Sequence, residues 1–321
     1  MEVRERYTPL SDTGSDGKLD PSIERFVDEM SKAWKRFGDL SAVSPAEARR
    51  IAEAVRGPWT RGGPRIGWVE IEKPVRIRFY DPRPGLPKPV LVYLHGGGWS
   101  LFSLNTHDRV MREYAARAGV VVAGVDYALS PEARYPTALE QVVMAVQHIT
   151  VLGGEFGIDG RRVAIGGDSA GANLALAAAL RLRDQKSVRL RGLVLNYGVF
   201  TRRSSNAARQ RFGGEGNMLT AAEMERFWAN YLRSERDADD PLVSPLGARL
   251  EGLPPVLLVV PECDLLTEQS LMLADRLRAA NVPLRMAFYP GASHSFLEAV
   301  SISPLADKAF DDSAAWLRET L

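Results

Sequence analysis

From about residue 66 onward, short β-rich runs alternate with stretches of helical spacing, and no other feature of the chain restricts its fold as much. The runs are Val75–Tyr80, Val90–Leu94, Val120–Val125, Val163–Ile165, Leu193–Asn196, Val256–Val260 and Arg285–Tyr289. Helical patterns lie near 107–118, 137–149, 170–185, 267–280 and 305–319. A strand that is apolar along nearly its whole length must be covered on both faces. Helices between successive strands supply that cover. The pattern therefore predicts an α/β fold with a mostly parallel central sheet flanked by helices. Apolar residues make up 45% of the 321 and charged residues 25%, proportions that give an ordinary globular chain a sizeable core.

Residues 1–65 follow a different pattern. The first ~15 are polar and are expected to form a loose arm. Ile23, Phe26, Val27, Met30, Trp34 and Phe37 then share one helical face. A second helix opens at Ser44-Pro45-Ala46-Glu47, with Ser44 as N-cap, Pro45 at the first helical position and Glu47 able to close a capping box. Its apolar face is Ala48, Ile51, Ala52 and Val55. Residues 201–233 interrupt the later alternation and contain a helix opening at Thr220, with Glu223 in capping-box position. We read residues 1–65 as an arm and cap helices. Residues 66–321 are the main domain, with a cap insertion at about 201–233. In open parallel sheets ligands bind at the carboxyl ends of the strands, beneath such a cap.

Bulk properties exclude several classes of function. With 41 basic and 40 acidic residues the net charge is +1, so nothing electrostatic favours a nucleic acid. A single cysteine, Cys263, rules out an intrachain disulfide and fits a reducing compartment. The first residues carry mixed charge with no apolar run behind them, unlike a secretory leader. No stretch approaches about 18 uninterrupted apolar residues, so no membrane span is expected. The chain reads as cytoplasmic. The four histidines are scattered and no cysteine pair exists, so no metal-ligand cluster is expected. The expected partner is a small molecule, with a homodimer left open.

The chemistry begins at Gly167-Asp168-Ser169-Ala170-Gly171. It follows the strand ending at Ile165 and runs into the alanine-rich segment Ala172–Leu182. A serine between small residues at a strand-to-helix turn is the pattern of a nucleophile elbow, the hallmark of the α/β-hydrolase fold. The turn aims the serine oxygen above the sheet, and the positive end of the following helix favours developing negative charge. His95-Gly96-Gly97-Gly98-Trp99 follows the strand Val90–Leu94. Its uncovered backbone N–H groups at Gly97 and Gly98, with that of Ala170, can surround an oxyanion. Neither Gly-x-Gly-x-x-Gly nor a phosphate-binding Gly-Lys-Ser/Thr is present, so the glycines do not read as a nucleotide site.

An activated serine needs a base, and the base an orienting carboxylate, in the chain order Ser, Asp or Glu, His. Of His95, His107, His148 and His294, only His294 follows Ser169. His95 is expected to fasten the glycine loop, while His107 and His148 are expected to be structural or solvated. Asp264 ends the strand region Val256–Val260 and precedes His294 by 30 residues. Glu262 and Glu268 are its nearby rivals, whereas Asp237, Asp239 and Asp240 read as a solvated charge run. Cys263 reads as a buried small residue, and Asp168 as a residue that shapes the elbow. Trp99, Trp34, Phe37 and Phe212 are expected to line the substrate pocket, with Phe227 and Trp228 near them. No cofactor is required. The same fold also carries non-catalytic receptors and scaffolds, but receptors of this kind typically lose a triad member and none is missing here. An amidase or formamidase would share every motif.

These motifs resemble the hormone-sensitive-lipase-like esterases, the bacterial family IV. His95-Gly96-Gly97-Gly98 and Gly167-Asp168-Ser169-Ala170-Gly171 match its two signatures. Asp126-Tyr127-Ala128-Leu129-Ser130-Pro131-Glu132, followed by Tyr135-Pro136, matches a third segment. The stretches Ser103-Leu104-Asn105-Thr106-His107-Asp108-Arg109, Tyr289-Pro290-Gly291 and His294-Ser295-Phe296-Leu297 resemble its acetyl esterase branch. The resemblance runs from about residue 66 to the end and implies hydrolysis of short-chain acyl esters, acetyl above all. One departure is Asp264-Leu265-Leu266 where the family has Asp-Pro-Leu, a change expected to loosen the turn that holds Asp264.

Overall fold

A computed structural model describes residues 17–38 and 40–321. The loose arm expected over the first ~15 residues lies outside the described residues. The chain opens with α1 (Pro21–Lys35) and α2 (Pro45–Arg56). Eight strands then form one sheet: β1 (Trp68–Ile71), β2 (Ile77–Tyr80), β3 (Lys88–Leu94), β4 (Val121–Val125), β5 (Ile158–Asp168), β6 (Gly192–Asn196), β7 (Val256–Cys263) and β8 (Leu284–Ser293). Their spatial order is β1-β2-β4-β3-β5-β6-β7-β8. The first two strands pair antiparallel, and β4 through β8 run parallel. The fold is α/β with a mostly parallel sheet between helices, as the alternation predicts.

The flanking helices are α3 (Asp108–Ala118), α4 (Thr137–Leu152), α5 (Ala170–Gln185), α8 (Thr267–Ala279) and α9 (Pro304–Thr320). Between β6 and β7 lie α6 (Asn206–Phe212) and α7 (Ala221–Tyr231). The helix starts follow from sequence chemistry. Asp20, Ser44, Ser205 and Ser303 each cap with a side-chain oxygen, and Thr220 with Glu223 closes the expected capping box. β1 escaped the sequence reading because it is an edge strand, half exposed, with Glu70 between its apolar residues. β5 and β8 run longer than their apolar cores, because glycines and charged residues continue the pairing beyond Val163–Ile165 and Arg285–Tyr289.

Two packed layers hold the sheet. One side joins α4, α5 and α8 to the outward residues of β3 through β7. The other joins α1, α2, α3 and α9 to the alternate residues. The start of α5 crosses close against β3, and glycines make this approach possible. A methyl group on Gly171 would lie 2.0 Å from the Leu94 carbonyl oxygen, and one on Gly167 2.3 Å from the same atom. The small residues around Ser169 are thus a steric requirement of the strand–helix crossing.

Asn173, wholly buried on α5, ties this crossing to two loops. Its amide donates to the carbonyls of Val199 and Val243, both at 2.9 Å. Asn173→Ala would strand two buried acceptors. It is expected to lower unfolding stability by about 1–3 kcal/mol, measured by urea denaturation at pH 7. An unchanged midpoint would contradict this role.

Candidate active site

Ser169 follows directly on β5 and starts α5 with φ 54° and ψ −117°. This left-handed backbone is strained for a residue with a side chain and turns the hydroxyl away from the sheet axis. The Ser169 N–H donates to the Asn196 carbonyl at 2.9 Å, which fixes the elbow to β6. His294 follows β8, and Asp264 follows β7. The His294 Nε2 lies 3.0 Å from Ser169 Oγ, and its Nδ1 lies 2.8 Å from Asp264 Oδ2. The three side chains are almost enclosed, at 7%, 6% and 3% exposure. The fold brings these three side chains together from three strand ends.

Asp264 is held without the proline expected after it. Its Oδ1 accepts from Leu266 N–H at 3.0 Å, and Thr267 Oγ1 donates to the Pro261 carbonyl at 2.6 Å. Side-chain bonds thus close the turn that Leu265 was expected to loosen. The rival acids bond elsewhere: Glu262 Oε2 accepts from Gly291 N–H and Glu268 Oε2 from Ser205 N–H. Asp237 and Asp240 each have a partner in the loop, Asp240 accepting from Tyr135 Oη at 2.8 Å. Cys263 is buried, and burial with Glu262 nearby pushes its thiol up to about 11.

The glycine loop runs over the elbow with φ 112° at Gly97 and 58° at Gly98. Its start is fastened as expected. The His95 Nδ1 lies 2.7 Å from the Gly96 carbonyl oxygen, the Tyr127 ring stacks on His95 at 4.5 Å, and Tyr127 Oη donates to the His95 carbonyl. The loop is covered by α7. A methyl group on Gly98 would lie 2.1 Å from the Phe227 ring. Trp99 is wholly buried, stacked on Tyr231 at 4.3 Å and beside Trp228 at 4.6 Å. Its ring is used in docking the insertion onto the loop.

The other aromatics stand apart. Trp34 is half-buried against the N-terminal layer, and Phe37 lies beyond the end of α1 at 39% exposure. Phe212 is buried at the end of α6, with the Arg211 guanidinium over its ring. A cavity of about 260 Å³ opens between α2, the glycine loop and α7. Leu40, Val43, Ala48, Leu101 and Phe227 contribute to its wall, and Trp34, Phe37, Trp99 and Phe212 do not.

Behind the elbow lies a buried charge cluster where no group of metal-ligating side chains was expected. Ligand atoms of His107, Asp168 and Glu298 come within 4.8 Å of one another. His107 Nε2 is 3.3 Å from Asp168 Oδ2 and 3.9 Å from Glu298 Oε1. The cluster already contains a cation, because the buried Arg56 guanidinium pairs with Glu298. Burial would raise the Asp168 carboxyl, but His107 and the Tyr93 hydroxyl at 2.8 Å hold it below its usual range. Burial, with His107 beside it, pushes His95 down to about 4. Sequence reasoning missed Arg56 and Glu298. The signal for Arg56 was its place four residues after Ala52 on an apolar stripe, and for Glu298 a lone acid inside Phe296–Val300.

Comparison with known proteins supplies the decisive observation. A model of the alpha/beta hydrolase fold family matches residues 91–298. The chain belongs to the α/β-hydrolase family. Within it, the resemblance to the hormone-sensitive-lipase-like esterases holds. An acetyl esterase of Salmonella schwarzengrund is 38% identical over 313 residues, covering 92% of this chain and 94% of its own. Among solved structures, a thermostable esterase from Pseudomonas putida superposes with a TM-score of 0.87 at 29% identity, covering 95% of this chain and 98% of that one. A hyperthermophilic esterase from the archaeon Pyrobaculum calidifontis does so with the same score and identity, covering 94% and 98%. This hydrolase is an enzyme of the serine carboxylesterase class. No helix among its described residues is long and apolar enough to cross a membrane.

The low value of His95 has a consequence for acid stability. Unfolding releases His95 to an ordinary value near 6.5, above its folded value of about 4. The unfolded chain then binds the extra proton. The contribution of a neutral His95 is therefore complete above about pH 6.5 and declines as pH falls toward 4, by up to about 1.4 kcal/mol per pH unit. His95→Gln should flatten this part of the stability curve. Denaturant titrations at pH 7, 6 and 5 check it, and parallel curves for both proteins would contradict it.

Proposed function

We propose that the enzyme hydrolyses short-chain acyl esters, acetyl above all, through Ser169, His294 and Asp264. The observation that carries the reading is the unbroken contact chain Ser169 Oγ–His294–Asp264, at 3.0 and 2.8 Å, on a strained elbow. His294 takes the Ser169 proton as Oγ bonds to the ester carbonyl carbon. Asp264 holds the imidazole and stabilises its cationic form. The resulting oxyanion accepts hydrogen bonds from the N–H groups of Gly97, Gly98 and Ala170. Collapse breaks the carbon–alkoxide bond, and His294 passes its proton to the leaving alcohol. Water, activated by the same imidazole, then attacks the acyl-enzyme and releases the acid.

The acetyl preference is supported by the acetyl esterase relatives. We take residues 1–65 as an arm and cap helices, and 201–233 as the cap insertion. Support comes from α2 and α7, which both contact the glycine loop: Arg49 Nε donates to the Ser100 carbonyl at 2.9 Å, and Phe227 covers Gly98. The acyl chain would have to fit the cavity of about 260 Å³ between α2, the glycine loop and α7. Each methylene that fits gains about 0.8 kcal/mol, while each that must displace packed side chains costs about 1–3 kcal/mol. The second effect is the larger. The reading takes a small-molecule ester as partner and a cytoplasmic setting, the latter supported by the lone, buried Cys263.

Ser169→Ala should remove turnover of an acetyl ester without unfolding the protein, and an organophosphate should label Ser169 alone. Near-normal turnover in that variant would sink the reading. Asp264→Asn should lower kcat by around 10⁴-fold. On acetyl, butyryl, octanoyl and dodecanoyl esters of one alcohol, kcat/KM should fall steeply beyond roughly four acyl carbons; a flat profile would refute the size preference.

The glycine loop gives an independent test. Gly98→Ala drives a methyl group into the Phe227 ring and shifts the loop. It should cost about 10²-fold in kcat, near the loss of one oxyanion donor. KM should change less, and a change confined to KM would argue against the donors.

A further inference from the structure

We propose that Arg56, at the end of the N-terminal helix α2, is a positioning residue for the active site, gripping the turn that carries His294. The inference rests on the reading of Ser169, His294 and Asp264 given above. Arg56 is 3% exposed. A guanidinium is costly to bury unless its charge is matched and its donors find partners. Here one cation meets two points of one turn. It pairs with the Glu298 carboxylate and donates to Ser295 Oγ at 3.3 Å, while its planar face covers the Phe102 ring at 4.5 Å. Ser295 and Glu298 are the first and fourth residues after His294. Ser295 holds a left-handed backbone, φ 59°, and its carbonyl accepts from Glu298 N–H at 3.1 Å. Arg56 thus clasps both ends of the turn that sets the direction of the imidazole.

The clasp continues to the nucleophile. Glu298 faces His107, which faces Asp168, the residue before Ser169. The same chain of charges therefore spans both sides of the 3.0 Å contact between Ser169 and His294. Burial lowers Arg56 to about 10, with Tyr197 and Asp168 opposing the fall, so it remains a cation at neutral pH. The groups around the pair are Glu298, Asp168, His107 and Tyr197, and His294 itself faces Asp264, Ser169 and the edge of the Tyr197 ring at 5.1 Å.

Charge gives this role a signature that packing alone lacks. Arg56 and Glu298 nearly neutralise each other. Without Arg56, the Glu298 carboxylate stands unbalanced beside the His294 turn and favours the imidazolium. Without the Glu298 charge, Arg56 stands unbalanced and disfavours it. Removing either partner should move the acid limb of the kcat/KM profile, in opposite directions.

The experiment measures kcat, KM and the pH profile on an acetyl ester for full-length Arg56→Met, Arg56→Lys, Glu298→Gln and the double variant Arg56→Met/Glu298→Gln. Arg56→Met should lower kcat by about tenfold to a hundredfold, the scale of a small misplacement of a reacting group. KM should change little, and the acid limb should move to higher pH. Glu298→Gln should move the limb to lower pH, and the double variant should bring it back toward the wild-type position. Arg56→Lys, which keeps the charge and loses the fork, should recover the limb and part of kcat. For Arg56→Met and Glu298→Gln, folded protein with wild-type kcat, or limbs that stay put or move the same way, would overturn the proposal. If Arg56→Met does not fold, Arg56→Lys still carries the loss of kcat and Glu298→Gln the shift of the limb to lower pH, and wild-type kcat in the first or an unmoved limb in the second would overturn the proposal. Failure of the underlying esterase reading would appear separately, as turnover surviving in Ser169→Ala.

Discussion

The Asp168 carboxylate is the charge around which the site is assembled. It sits at the end of β5, wholly enclosed, and accepts from Tyr93 Oη on β3. His107, at the start of α3, faces it from one side, and Gly96 of the glycine loop packs against its Oδ2. A buried anion has no option but to gather donors and cations, since solvation is denied to it. Those it gathers come from β3 and the start of α3. Through His107 and Glu298 it also reaches α2 and the turn beyond β8. The β3–α3 region, α2, the end of β5 and the turn beyond β8 therefore have one electrostatic reason to meet.

This cluster could be mistaken for a metal centre, because His107, Asp168 and Glu298 offer a plausible ligand set. Arg56 makes the difference. The Arg56 guanidinium offsets one of the two carboxylate charges, while His107 contacts Asp168 and Thr106. The chain supplies its own cation from the N-terminal helix. A fixed guanidinium also brings geometry that a spherical ion lacks, because its planar fork addresses two acceptors at set angles.

Most of the architecture was legible because parallel strands buried on both faces leave an unmistakable apolar signature, and because the elbow tolerates so few residues. His294 could be set against Ser169 from chain order, since only one histidine follows the serine, whereas Asp264 kept Glu262 and Glu268 as rivals until their bonds were seen. β1 could not, because an edge strand is half-solvated and shows Trp68 and Val69 to water. Arg56 and Glu298 were hidden for the opposite reason. Charged residues ordinarily mark a solvated face, and only the three-dimensional meeting of the pair explains how each can be buried. Trp99 shows a third limit: sequence places an aromatic beside the glycines but cannot say whether its ring faces a ligand or a neighbouring helix.

The docking of α7 on the glycine loop bears on how such enzymes can diversify. Phe227 lies over Gly98, and Trp228 and Tyr231 clasp Trp99, so the insertion that would shape the substrate's surroundings also forms the roof of the loop below it. The insertion is accordingly a poor interchangeable part. A chimera that borrowed this segment from a relative would import a foreign ring above Gly98 and alter the loop along with the pocket. Divergence in this lineage must then proceed by paired changes across the α7–loop seam, with the two sides drifting together.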